Sequence, residues 1–225
     1  MINLSKSYDF FQPEKCGKTK IHIIGCGSVG ATIAENLVRC GVRNLVLWDF
    51  DKVEPHNLAN QIYRHKDIGK LKVEALQDIL LDIDPDIGDS ISIKPDGWQG
   101  RTLSGYIFLC VDSIELRRKI VEQHMDSAFV KAVFDVRTLL ESAQHFAADW
   151  SDAKMKEDLL NSMQFSHEEA ADETPVSACG VTLGVATTVR IVSAIAVNNF
   201  INYIKDGKIK KLIIVDAFNF SIDAF

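Results

Sequence analysis

The chain has 225 residues, of which 47% are apolar and 25% charged, the usage of a soluble globular domain, so a disordered or fibrous chain is excluded. Its 25 basic residues are outnumbered by 31 acidic ones, a net charge of -6, which argues against a broad nucleic-acid-binding face and requires any anion to be held by a local site. The length suits one large core, and a single domain over 1–225 is expected.

Residues 20–24 (KIHII) are a short apolar run ending in Gly25; a helical pattern with Val29, Ile33, Leu37 and Cys40 on one face follows and stops at Gly41. Residues 44–48 (NLVLW) read as a second strand, ending in Asp49. A helix is predicted over 70–83 and closed by Pro85, then strands over 90–94 and 106–111 and a helix over 113–125. Two strands over 129–136 and 141–148 lie close enough in sequence to pair antiparallel. Residues 151–175 hold seven acids against two lysines and read as a short helix (153–163) and an exposed loop. A long helix over 182–204, rich in small and branched apolar residues, is expected to be buried on most sides, and strands over 211–215 and 218–222 straddle a turn. Strands alternating with helices predict an α/β fold with a doubly wound, mainly parallel sheet and an antiparallel C-terminal extension.

The five cysteines, Cys16, Cys26, Cys40, Cys110 and Cys179, are odd in number, spread out and never in a CxxC pair, which argues against a disulfide framework and a zinc site and for a reducing cytoplasm. The first residues lack the apolar core of a secretory signal, and no run reaches the ~18 apolar residues of a membrane span. The six histidines show no metal-ligand spacing, so no catalytic histidine and no transition metal are expected.

Gly25, Gly27 and Gly30 form GCGSVG between a strand and a helix that opens at Ser28, a Rossmann-like arrangement. The first glycine permits a tight turn, the second lets backbone approach a phosphate, the third lets the helix pack on the strand, and the helix start offers N–H donors to an anion. Asp49, 19 residues after Gly30, stands where a carboxylate can take ribose hydroxyls. This alone would fit an NAD(P)-dependent oxidoreductase. The polar string that follows, DFDKVEPHNL with Gln61 and then GKLK, is more than a simple dinucleotide fold needs.

The ordered set GCGSVG, DFDKVEPHNLANQ, DIGKLK and CVDSIELR resembles the ThiF/MoeB/HesA family, ATP-dependent enzymes that adenylate the C-terminal carboxylate of ubiquitin-like and sulfur-carrier proteins. The resemblance is close over about residues 20–117 and looser beyond, and is nearest to a short, zinc-free bacterial or mobile-element branch. It implies ATP and magnesium as cofactors, a nucleotide-binding half (1–125), and a half for the carrier tail and dimerisation (126–225) in a cytoplasmic homodimer. By position, Asp49 would take the ribose, Asp51 would orient polar groups around the phosphates, and Asn57 and Gln61 would join the nucleotide site. Lys72 would bind phosphate, Asp112 would hold magnesium, Arg117 would buttress the site, and Cys179, in TPVSACGVTLG, would attack the acyl-adenylate or carry sulfur. Plainer roles remain open: Lys72 a solvated helix lysine, Asp112 a helix N-cap, Arg117 a surface ion-pair partner, Cys179 a packing residue. Asp135 and Arg137 could meet the carrier tail or form a structural ion pair.

Two departures from the family pattern stand out. Asn60 occupies the place of an arginine in the family's NLxRQ motif, and the segment before Arg39 has no arginine to offer across a dimer. Lys15, Lys18 or Arg64 would have to substitute, and lysine lacks the bidentate fork. A nucleotide-binding partner subunit without activity is therefore the alternative.

Overall fold

A computed structural model describes residues 2–165 and 184–225. Its frame is one eight-stranded sheet in the order β3-β2-β1-β4-β5-β6-β7-β8. The strands are β1 (Ile21–Ile24), β2 (Leu45–Trp48), β3 (Ile91–Lys94), β4 (Gly105–Leu109), β5 (Val130–Thr138), β6 (Ser142–Asp149), β7 (Leu212–Asp216) and β8 (Ser221–Ala224). The first five are parallel, and β6, β7 and β8 add antiparallel, as alternating helices and the two short connections predict.

Strands β1, β2 and β4 are buried along their whole length, as strands covered on both faces must be. Side chains alternate between two cores. Ile21, Ile23 and Phe108 point to one, closed by α1 (Ser28–Arg39), α2 (Lys72–Ile83) and α5 (Ala186–Asp206); Ile24, Ile107 and Leu109 point to the other, closed by α3 (Ile114–His124) and α4 (Ala153–Asn161). Against the expectation of burial on most sides, α5 packs one face on α1, β5 and β6 and leaves Thr187, Arg190, Ile191, Ala194, Asn198 and Asn202 in an exposed stripe. Its apolar composition conceals that stripe, because alanine and threonine serve either side of a helix.

The strand order reverses at β1, the middle one of the five parallel strands. From β1 the order runs outward through β2 and β3 on one side and through β4 and β5 on the other. At such a switch point the loops leaving the carboxyl ends of β1 and β4 diverge, and the crevice between them is where open α/β sheets take ligands.

Candidate functional site

The glycine turn leaves the carboxyl end of β1 into that crevice, and its three glycines have three different surroundings. Gly25 has φ +91°, and a Cβ there would stand 2.8 Å from the Cys110 carbonyl oxygen. A Cβ on Gly30 would be 1.9 Å from the Gly25 carbonyl oxygen, so α1 lies on β1 only because none is present. Around Gly27, the N-cap of α1, a Cβ would meet nothing within 4 Å. No side chain caps this helix, so the donors of its first turn are open on the same side.

Asp49, just past β2, braces the turn. Its Oδ2 accepts the Cys26 N–H at 2.6 Å and its Oδ1 accepts the Asp51 N–H at 2.8 Å. Burial raises its carboxyl above the usual range, opposed by those two N–H groups and by Lys72.

From Asp51 the chain makes a closed loop. Lys72 N–H donates to the Asp51 carbonyl and Gly69 N–H to that of Val53, so residues 51–53 and 69–72 clasp antiparallel. Within the loop Asn57 is buried, its Oδ1 accepting the Glu54 N–H at 2.9 Å and its carbonyl the Gln61 N–H at 2.8 Å. The Gln61 Oε1 is buried without a donor among the described residues. The clasp sets Lys72 at the first position of α2, only 8% exposed rather than on an open helix surface, with Nζ 2.8 Å from Asp51 Oδ2. Asp51 thus holds the lysine.

Asp112 follows β4, immediately after the Cys110–Val111 stretch that Gly25 approaches. The N-cap of α3 is Ser113, whose Oγ accepts the Leu116 N–H at 3.1 Å, so the capping role that sequence leaves open to Asp112 is filled by its neighbour. Asp112 is exposed and has no hydrogen-bond or ion-pair partner among the described residues. Nor do three His, Cys, Asp or Glu side chains gather among these residues. A single free carboxylate is the donor set magnesium takes where phosphate and water supply the other ligands, since it needs only one or two carboxylates.

Arg117 is buried rather than a surface partner. Its Nε donates to the Val111 carbonyl at 2.8 Å and its Nη1 to the Leu109 carbonyl at 3.2 Å, and it pairs with Asp135. Asp135 also accepts from Arg137 Nε at 2.7 Å, and Arg137 continues to the Ser162 carbonyl and hydroxyl. The ion-pair reading of Asp135 and Arg137 is the one seen. The candidate substitutes for the family arginine are placed elsewhere. Arg64 is spent on Asp67 and Asp82. Lys15 and Lys18 lie before β1, at the amino ends of the strands, where the Gly17 carbonyl accepts from Asn44 just ahead of β2. Asn60 donates to the Gly184 carbonyl at 3.4 Å. Cys179 falls outside the described residues. The other four cysteines have thiols raised by burial, Cys16 and Cys110 to about 12, which makes them packing residues.

Sequence reasoning misses Tyr63. It is buried, its hydroxyl 2.5 Å from the Cys26 carbonyl oxygen and 3.3 Å from that of Lys72.

The ThiF family model matches residues 9–225. The chain belongs to the ThiF family. Among curated relatives, ubiquitin-like modifier-activating enzyme 5 of Caenorhabditis briggsae is 42% identical over 115 residues, covering 44% of this chain and 27% of that enzyme. The Arabidopsis thaliana enzyme of the same name is 36% identical over 74 residues, or 33% of this chain and 17% of that one. The match to these relatives spans less than a third of their length. Among solved structures, selenomethionine PaaA superposes with TM-score 0.74 at 19% identity over 95% of this chain and 74% of its own. Escherichia coli MccB with ATP gives 0.74 at 16% identity over 95% and 65%. At such identities these likenesses show that this ThiF-family chain shares their fold.

Proposed function

We propose that this chain is an ATP-dependent adenylyltransferase that activates the C-terminal carboxylate of a ubiquitin-like protein, a sulfur carrier or a peptide. One observation carries the reading. Of the three glycines, Gly27 alone faces open space, at the carboxyl end of β1, with an uncapped helix start behind it and the unpartnered Asp112 on the adjoining loop. The matched relatives are named as activating enzymes of ubiquitin-like modifiers, and MccB has been solved with ATP and, separately, with MccA.

In the reaction, a carboxylate oxygen of the substrate tail attacks the α-phosphorus. The bond from that phosphorus to the β-phosphate bridging oxygen breaks, and pyrophosphate leaves with the electron pair. Asp49 accepts from the ribose hydroxyls with the same carboxylate that braces the turn, and Asn57 and Gln61 shape the loop beside it. The turn's amides and Lys72 meet the phosphates, the lysine exchanging Asp51 for a phosphate oxygen; fixed donors of this kind stabilise developing charge without reorganising. Magnesium held by Asp112 would neutralise phosphate charge. Arg117 acts behind the site, fixing the Leu109 carbonyl that ends β4 and the Val111 carbonyl just beyond it. We further propose a single cytoplasmic domain acting as a homodimer, with Cys179 as acceptor of the activated acyl group.

Pyrophosphate exchange into ATP in the presence of candidate carriers is the direct assay. Lys72→Ala and Asp112→Ala are each expected to abolish it, and exchange retained in both would remove these roles. A reducible or thioester adduct lost in Cys179→Ala would establish the acceptor. The second reading, an inactive nucleotide-binding partner, is favoured by one observation: Asn60 stands at the family arginine's place while Arg64 is committed to Asp67 and Asp82. ATP binding without exchange for any carrier would select it, and stabilisation by NAD rather than ATP would instead indicate an oxidoreductase.

A further inference from the structure

We infer that Tyr63 is a positioning residue which orients the Cys26–Gly27 peptide so that the Gly27 N–H faces a bound phosphate; this rests on the nucleotide reading above. Both polar groups of Cys26 are held by side chains from distant parts of the chain. The Asp49 carboxylate takes its N–H at 2.6 Å, and the Tyr63 hydroxyl donates to its carbonyl at 2.5 Å. The peptide is trans, so its C=O and the N–H of Gly27 point in opposite directions. With the carbonyl drawn inward to a tyrosine only 5% exposed, the Gly27 N–H is turned the opposite way, away from that buried ring. That N–H has no acceptor among the described residues. The same phenol lies 3.3 Å from the Lys72 carbonyl, so one buried group fixes the turn relative to the residue that bears the phosphate lysine. Burial keeps the phenol well above its usual pKa, so it remains a donor throughout the physiological range.

Removing the hydroxyl leaves the Cys26 carbonyl buried without a donor. Rotating the peptide relieves that cost by turning the carbonyl toward the crevice, where it repels phosphate. The defect is specific to phosphate, whereas a merely structural tyrosine would weaken every ligand alike.

The test is calorimetric titration of the full chain and of Tyr63→Phe with ATP and with adenosine. ATP is expected to bind about tenfold more weakly to the variant, with adenosine within about twofold of the parent. Equal weakening of both, or of neither, overturns the inference. Should the variant not fold, the parent labelled with ¹⁵N decides: ATP but not adenosine should shift the Gly27 amide resonance, and an unmoved amide at saturating ATP overturns the inference. A parent that binds adenosine and ATP equally well brings down the nucleotide reading itself, and this inference with it.

Discussion

Asp135 shows how far a single buried charge reaches. Wholly enclosed, it is clamped by Arg117, which also holds the end of β4, and by Arg137, which holds the end of α4 and lies 4.4 Å over the Phe146 ring. Such a set is costly to desolvate, and its removal is costlier, because two guanidinium groups are left without their anion. Asp135→Ala is expected to lose about 3–5 kcal/mol in urea unfolding, whereas Asp112→Ala, at an exposed unpartnered position, should stay within about 0.5 kcal/mol of the parent. A converse result would mean that Asp112 is structural. The motif singled out Arg117, but its partner was not legible, since Asp135 lies on strand β5 and no local spacing joins it to α3.

The turn and α1 together separate packing from binding at the scale of one element. Gly30→Ala drives a methyl into the Gly25 carbonyl and forces α1 off β1, for an expected loss of about 3 kcal/mol or more in thermal or urea unfolding. Gly27→Ala enters open space and should unfold like the parent within about 0.5 kcal/mol, yet lose ATP binding, because the methyl stands where a phosphate would approach. Equal stability losses would show that both glycines serve packing. Element positions were legible because hydrophobic period and glycine punctuation are local: α2, predicted over 70–83, is found at Lys72–Ile83, and the strand predicted over 90–94 at Ile91–Lys94. The 3-10 turn Pro55–Ala59 and the clasp of residues 51–53 with 69–72 were not, since they follow from backbone bonds across the loop rather than from any period. Tyr63 was hidden for the same reason: its acceptor lies 37 residues away.

Across the whole molecule, each face of the sheet buries a neutral histidine. His22 accepts from Trp48 Nε1 on one side, and His145 stacks on Phe134 on the other; burial lowers both to about 4 from 6.5. Below pH 6.5 the unfolded chain takes up protons that the folded chain refuses until about 4, so their contribution is full above pH 6.5 and is lost as pH falls to 4. Urea midpoints should fall over that window, and two imidazoles should titrate near 4 by NMR; ordinary titration of both would refute it. Nucleotide adds a second global effect. ATP at about 100 times its Kd should contribute about 2.7 kcal/mol, read as a higher melting temperature. The sheet order also bears on how the chain is made. Central strand β1 is flanked by β2 and by β4, which arrives some way later, and its helix α1 is covered by α5, near the far end of the chain. During synthesis β1 therefore waits for β4 and α1 for α5, and the interval in which their apolar faces lie uncovered is when the chain is most exposed to aggregation.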